Sequence, residues 1–571
     1  MDSRAREVLR IGDRMFGDKR TVDTLFQELA LNFYPERADF TTMRDQGEEH
    51  APHLFSSYPV MARRELGNML DEFLFPDKFF SVHVDDEELD ESEAERAFLE
   101  QRIDGTMWRA MSDPVANLVT ARGQTNHDFA TFGNGVLRFS LNVAGDALLF
   151  KNYHLRDNAW GENAEGRVDH NHRNWKPTAW QMKQHFPDKI SSEVRKACDQ
   201  DPHKTFECRH VVMPSRLYDY KSRGGKRFPF ISLYVERDSE TVLEEVGMSH
   251  FQYVIPRWQI VSGSVYGSSM ATAVVLPDGR TLQVVMRTLR EAGEMHVNPP
   301  MLAFTDAIRG DAAMYPGGIT TSDIEYDGKL ADVLRPITRD KSGFPIGGEI
   351  AASLKEDIRQ AFLLDKMQLP ETTREMTATE VRRRIQEHIR AAAPISKPIH
   401  PNYHHMLCDG VFQLMRENGA FPFHEMPDSL SDRDIKFQFR SPLDDLAEQN
   451  EAHGFVAGVT EVLMPAAQLD RSLLAIANLP RGVRDSLKAY GWSEKWLNSL
   501  DDVDAKREEV ETEDMMMKVA DGLGKAGAVG EQAGKGVDAL MRAGQTAPPQ
   551  QGKPLTPVGR GAPAQPAAPV R

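Results

Sequence analysis

At 571 residues the chain is too long to bury itself around a single hydrophobic core, so several domains are expected. Its 40% hydrophobic and 27% charged residues are ordinary globular usage. The 69 Lys and Arg against 86 Asp and Glu leave a net charge of −17, which excludes a simple protein that grips DNA by its phosphates.

Three cysteines occur, Cys198, Cys208 and Cys408, none in a C-x-x-C pair. That argues against a disulfide framework or a structural zinc site and suits a reducing cytosol. The charged start has no signal-peptide character, and no apolar run approaches the ~18–20 residues of a membrane helix. A soluble chain with no membrane partner is expected.

Met1–Tyr34 alternates charge with Val8, Leu9, Phe16, Leu25, Phe26, Leu29 and Phe33, which predicts a helix. Arg63–Phe79 is a second amphipathic helix, ended by Pro76. Glu91–Thr120 reads as a long helical pattern, acidic at its start where the helix dipole favours acids. Thr131–Val143 turns at Gly133–Gly135 and then alternates Val136, Phe139, Leu141 and Val143, a strand signal. Leu148–Pro187 is rich in aromatic and His residues and reads as a β-ribbon leading to a helix capped near Thr178. Thr205–Tyr218 and Phe228–Val235 read as strands.

The most patterned stretch is Trp258–Pro394, with three helices and two interruptions. The first helix is expected to start at Leu276-Pro277-Asp278, because proline suits a first turn. Leu282, Val285, Met286 and Leu289 line it, and Asn298-Pro299-Pro300 stops it. The second follows Gly347-Gly348, with Ile350, Leu354, Ile358 and Phe362 as its stripe. The third opens on a capping box of Thr377 and Glu380, stapled by Met376 and Val381, and ends at Pro394. Met301–Pro345 between the first two reads as a small β-containing insertion, and Lys366–Met376 as a short polar loop.

Beyond it, His400–Phe423 is helical, with Met406, Leu407, Phe412, Leu414 and Met415 on its apolar side. Ile435–Phe439 is a strand. Leu443–Ser499 is helical with breaks at Pro465, Pro480 and Gly491. Asp501–Glu513 and the Gly/Ala-rich Met515–Ala543 are weaker helices, and Gln545–Arg571 has the composition of a disordered tail.

No motif for a reaction stands out. Gly328-Lys329 is followed by Leu330 and Gly534-Lys535 by Gly536, so neither makes a phosphate-cradling P-loop. Gly263-Ser264 and Gly267-Ser268 lack the closing glycine of a nucleophile elbow. Asp169, His170 and His172 lie close together, as do His400, His404 and His405, but Pro401 interrupts the second group and no H-E-x-x-H accompanies either. Ordinary surface or interface histidines account for both. Cys408 has His404 and His405 near it in sequence alone. No catalytic residue, metal or cofactor is therefore expected. Arg382, Arg383 and Arg384 on one chain are a solvated face or salt-bridge partners.

The residues of "YG-S-MA-AV-LPD-RTL…MRTLREA…VNPPML" and "MTATEVRRRIQEH" carry the chain further. They resemble the head-to-tail connecting (portal) protein family of short-tailed, double-stranded DNA bacteriophages. The resemblance implies an α+β portal fold in a ring of twelve subunits, with no reaction. Its parts would be a wing (1–276), a first stem helix (277–298), a clip (299–346) and a second stem helix (347–365). A tunnel loop (366–376), the returning wing (377–442), a helical crown (443–544) and the tail (545–571) would follow.

It implies a channel at one capsid vertex through which DNA is packaged by the terminase and later ejected. The ring would also nucleate the procapsid and attach tail adaptors. Lys366, Gln368, Glu371 and Arg374 would face the DNA without reading its sequence. Thr377, Glu380, Arg382, Arg383 and Arg384 would start the wing helix, their charges multiplied by the ring and focused by a narrow bore. In the clip, Phe304, Asp306, Arg309, Asp311, Tyr315, Asp323, Glu325, Tyr326, Asp327 and Arg335 would meet the terminase large subunit or the tail adaptor. Major capsid, scaffolding and internal core proteins complete the implied partners. The implied location is the virion, with assembly in the host cytoplasm. The family's usual "YGRGP" is here Tyr266-Gly267-Ser268-Ser269-Met270, which removes an arginine and a proline. A different ring-forming tail connector and a metal-dependent hydrolase built on the His-rich segments remain as alternatives.

Overall fold

The computed structural model describes residues 3–45, 47–76, 79–84, 95, 98–218, 228–299, 301–303, 334–336, 343–364, 399–427, 430, 435–439, 451–469, 476–490 and 492. Met1–Gln468 is one compact unit and Leu469–Arg571 another. The fold is α+β.

In the first unit, helix α1 (Ser3–Phe33) stops where Pro35 follows Tyr34, as the sequence predicts. Its two halves serve two cores. Ala5, Val8 and Leu9 pack with Val211, Met213, Ile231, Leu233 and Val235 of a sheet, while Phe26, Leu29, Ala30 and Phe33 enter the main core. Helix α2 (Tyr58–Leu74) carries Pro59 in its first turn and ends before Pro76. Its stripe of Leu66, Leu70 and Leu74 is fully buried, the four-residue spacing that places side chains on one face.

Strand β1 (Phe80–Val84) follows. The expected long helix over Glu91–Thr120 is instead broken. A π turn (Leu99–Asp104) leads into α3 (Gly105–Ser112). Asp113 then turns extended and its side chain accepts the Val115 N–H at 2.8 Å. Pro114 cannot continue a helix, and Asn117 at φ 56° reverses the chain into α4 (Leu118–Phe132). The proline was the visible signal for this break.

Gly133, at φ 68°, ends α4 and turns the chain into β2 (Leu137–Leu141), as expected. Strand β2 pairs with β3 (Leu148–Asn152). Next come β4 (Asn158–Glu162) and β5 (Val168–Trp175), the predicted ribbon. Helix α5 (Ala179–His185) has a full Thr178–Gln181 capping box, and α6 (Ser192–Gln200) follows. Strands β6 (Cys208–Pro214), β7 (Phe230–Glu236) and β8 (Thr241–Met248) complete an antiparallel sheet in the order β4-β5-β6-β7-β8. Short β9 (Tyr253–Val254) returns to β2, giving a second sheet ordered β3-β2-β9.

Helix α7 (Met270–Val297), the strand pair β10 (Met301–Ala303) and β11 (Leu334–Pro336), and α8 (Gly343–Ala361) follow in order. Helices α9 (Ile399–Asn402) and α10 (His404–Glu417) bury Leu407, Phe412, Leu414 and Met415 as predicted. Strand β12 (Ile435–Phe439) pairs antiparallel with β1, Phe80 opposite Phe439. The backbone of 451–469 is helical, through a π turn (Gly458–Leu463) into α11 (Met464–Leu469). Pro465 therefore does not break it, because the missing N–H falls next to a turn where regular pairing is already interrupted. In the second unit, α12 (Leu479–Ala489) follows the non-helical Ala477 and Asn478 and has Pro480 in its first turn, so the break at that proline is also a helix start. Among the described residues no helix is long and apolar enough to cross a membrane. The expectations for the third helix at Thr377 and for 501–571 lie outside the described residues.

Candidate functional site: a helix pair and its base

Helix α7 begins at Met270 rather than Pro277. The reason lies in α4, whose last carbonyls have no partner within their own helix. Ser269 caps α7 by accepting the Thr272 N–H at 3.4 Å, and its hydroxyl donates to the Ala130 carbonyl at 2.7 Å. The Thr272 hydroxyl donates to the Thr131 carbonyl. The first turns of α7 are thus fixed from outside, and this outweighs the bond that Pro277 cannot make inside the helix.

The Gly133 turn lies against the same base. A Cβ on Gly133 would sit 2.1 Å from the Ser268 carbonyl carbon. Asn134 donates to the Gly267 carbonyl at 2.7 Å and accepts the Gly267 N–H at 2.9 Å, a reciprocal clamp. Trp258 donates its N–H to the Gly133 carbonyl at 2.9 Å and stacks on Phe129 with centroids 5.2 Å apart. Tyr266 packs on Trp160, and burial pushes its phenol up. The Tyr266–Met270 stretch, where this sequence departs from the "YGRGP" pattern, is thus built into the base of α7.

Helices α7 and α8 run antiparallel. Near one end, Phe362 (ring centroids 5.7 Å apart) and Gly279 both meet Phe33. At the other, His296 meets Phe344 at 5.0 Å. Leu282, Ile358 and Phe362 are fully buried, as predicted. A Cβ on Gly347 would lie 2.7 Å from Leu289 Cδ2, so the helices approach closely there. That close approach corrects the predicted stripe: Ala351, one turn on, faces inward and Ile350 is 45% exposed. Helix α8 also starts at Gly343, before the expected Gly347, with Pro345 in its first turn. Buried Gln283 ties α7 to the chain ahead of α2, accepting the N–H groups of Phe55 and Ser56 at 2.8 Å and donating to the Ser56 carbonyl at 3.0 Å. The pair's outer surface exposes Val274, Val284, Met295, Val297, Ile346 and Ile350 among charged residues such as Arg287, Glu291 and Glu356.

At the far end of the pair, β10 and β11 form a ladder with Leu302 opposite Arg335. Of the residues expected to meet DNA or partner proteins, Arg335 alone falls in a described element. Phe304, Asp306, Arg309, Asp311, Tyr315, Asp323, Glu325, Tyr326 and Asp327 lie outside the described residues. So do Lys366, Gln368, Glu371, Arg374, Thr377, Glu380, Arg382, Arg383 and Arg384. Sequence reasoning missed Ser269, Gln283 and the tight fit at Gly133. Their partners are distant in sequence, so no local pattern pointed to them.

Of the clustered histidines and the cysteines, His172, His404, Cys208 and Cys408 are buried, His170 and Cys198 are partly exposed and His405 is exposed. His404 bonds the Leu74 carbonyl at 2.7 Å. His172 is fully buried, and burial with Arg209 and His170 nearby pushes it down to about 3. His170 bonds Asp169 at 2.7 Å. Burial pushes the Cys208 thiol up to about 12 and the Cys408 thiol well above its ordinary value. Among the described residues, no group of three or more His, Cys, Asp or Glu is placed to hold a metal ion.

This is an α+β scaffold presenting a clamped helix pair tipped by a strand pair. The model of the bacteriophage head-to-tail connecting protein family matches residues 5–497, and the chain belongs to that family. It is similar to the portal protein of Salmonella phage epsilon15, 27% identical over 285 residues, covering 48% of this chain and 50% of that protein. It is also similar to the probable portal protein of Bordetella phage BPP-1, 25% identical over 482 residues and 81% of each chain. The chain thus matches half the length of the first relative.

Proposed function

We propose that this chain is a portal. Twelve identical subunits would close a ring at one capsid vertex, through which a terminase packages double-stranded DNA and from which the genome later leaves. The observation that carries the reading is the α7–β10/β11–α8 unit, an antiparallel helix pair tipped by a strand pair, in a chain of the connector family. In this reading the helix pair is the stem, 299–346 the clip, and 366–376 the loop facing DNA. Residues 1–276 and 377–442 form the wing, 443–544 the crown and 545–571 a tail.

The exposed apolar residues of the pair support a ring, because Val284, Val297 and Ile350 would be covered by the neighbouring copy. The net charge of −17 suits a bore that DNA must slide through, since tight contacts would stall it. The clip would dock the terminase large subunit during packaging and the tail adaptor afterwards. The wing and crown would meet major capsid, scaffolding and internal core proteins. Electron microscopy of the purified protein tests the reading: closed rings with a central channel are expected, and their absence overturns it.

A further inference from the structure

The three-stranded and five-stranded sheets of the first unit meet along two facing rows of polar side chains. On the three-stranded sheet, strand register places Lys151, Arg138 and Tyr253 in line across β3, β2 and β9. On the five-stranded sheet, Arg173, His210, Tyr234 and Glu244 lie in line across β5, β6, β7 and β8. The rows are bonded face to face. Arg138 donates to the Tyr234 hydroxyl at 2.8 Å and to Gln252 Oε1 at 3.1 Å. Arg173 donates through Nε to the Tyr253 hydroxyl at 3.2 Å. Its guanidinium also lies 4.2 Å from the centre of the Tyr153 ring, and Lys151 lies 5.4 Å from the same ring.

The charges in this seam do not cancel. Arg173 is 4% exposed, and its two terminal nitrogens find no acceptor among the described residues. Arg138 Nε is buried with no partner. Glu244 sits at the end of one row, beyond Tyr234, and no ion pair joins it or any other described carboxylate to Arg138, Arg173 or Lys151. His210 adds no charge: burial, with both arginines near, pushes it well below its ordinary value. Its ring nitrogens are engaged by Tyr253 at 2.6 Å and Ser232 at 3.0 Å. A nearly buried Arg173 and a partly buried Arg138, with no carboxylate paired to either, are costly to hold, and the buried Arg138 Nε left unpaired adds to that cost.

We propose that this seam binds an oxyanion of the phosphate class. A dianion matches the two guanidinium charges of Arg138 and Arg173, where a single carboxylate would leave one uncompensated. Arginine's fixed fork of donors suits phosphate oxygens, and Lys151 at the exposed rim would guide the anion in. Tyr153 reports the same field. Burial pushes its phenol up, yet Arg173 and Arg138 together outweigh this and hold it below its ordinary range. The group can come from free phosphate or from a DNA backbone. The site is made by a single chain, so its test does not depend on whether rings form.

Equilibrium dialysis of the full chain against labelled inorganic phosphate, at constant ionic strength in chloride, decides the matter. Saturable binding of one phosphate per chain is expected. Arg173→Gln and Lys151→Ala should weaken it at least tenfold and several-fold respectively, while Arg195→Gln, on the exposed face of α6, should leave it unchanged. Competition by a short DNA duplex would assign the group to nucleic acid, and its failure to compete would assign it to the free ion. Absence of stoichiometric binding to the wild-type chain overturns the proposal, whatever the variants do. Retention of full affinity in both Arg173→Gln and Lys151→Ala overturns it as well.

Discussion

Replacing Gly133 by Ala tests how tightly the base of α7 is held. Two costs are combined at this position. An L residue in the left-handed region costs roughly 1–2 kcal/mol. Gly145, at φ 79° with nothing within 4 Å of its Cβ position, isolates that cost. At Gly133 the new Cβ would also lie 2.1 Å from the Ser268 carbonyl carbon and 2.3 Å from the Ser269 nitrogen, backbone atoms that cannot rotate away. Relieving the clash moves Ser269 off the start of α7. Losing such a cap costs about 1 kcal/mol, and stranding the buried carbonyls of Ala130 and Thr131 adds roughly 1–3 kcal/mol. The gain from a stiffer unfolded chain, ~0.4–1 kcal/mol, is common to both variants and cancels in their difference. Gly133→Ala should therefore be less stable than Gly145→Ala by at least about 2 kcal/mol. Urea unfolding of the purified chain, followed by tryptophan fluorescence and far-ultraviolet circular dichroism, measures it, with Trp258 beside the site as reporter. Midpoints equivalent to within about 0.5 kcal/mol would refute the reasoning.

Val284→Asp combined with Ile350→Asp should leave the circular dichroism unchanged and abolish rings seen by electron microscopy; intact rings would remove the outer face of the pair as the subunit contact. Lys366→Ala with Arg374→Ala should leave rings intact and alter DNA packaging or retention, and failure to form rings would make that loop an assembly element instead. His172 is neutral in both folded and unfolded chains above about pH 6.5. Below that, the unfolded chain takes up a proton that the folded chain refuses until about pH 3, so stability is lost across this window as pH falls. His172→Leu should flatten that loss, and an unchanged slope between pH 6.5 and 4.5, measured by thermal unfolding, would count against it.

What was legible in the sequence was whatever is decided within a few residues. Pro35 ended α1, Thr178 announced α5, and the alternation of Ile435–Phe439 marked its strand. What was not legible depends on distant partners. The start of α7 was misplaced because Pro277 offered a local signal while Ser269 was fixed by Ala130, 139 residues away. Ile350 was assigned inward because periodicity alone cannot see that Gly347 brings the helices too close for a large side chain one turn later. The paired arginines between the sheets left no motif, since the register of two separate sheets brings Arg138 and Arg173 together.

Helix α4 shows why local pattern fails most where the fold is most tied together. Its second half, Thr125–Phe132, is buried apart from the partly exposed His127, with Thr125, Asn126, Asp128 and Thr131 inside, so polar residues there mark no solvent face. Asp128, Asn126 and Thr125 each reach other elements, while the Thr131 hydroxyl bonds His127 of its own helix. Asp128 takes a two-pronged bond from Arg37 after α1, at 2.7 and 3.0 Å. Asn126 donates to Asp71 of α2 and accepts from Tyr403 ahead of α10, both at 2.8 Å. Thr125 accepts from Asn152 of β3 at 3.1 Å. The carbonyls of Ala130 and Thr131 then take the hydroxyls of Ser269 and Thr272. A tilt of α7 about its base cannot occur without breaking bonds in this buried network, where an orphaned polar group costs about 1–3 kcal/mol. The base of α7 therefore moves with α4 and the elements bonded to it as one body, and flexing of the helix pair belongs farther out, beyond Gln283.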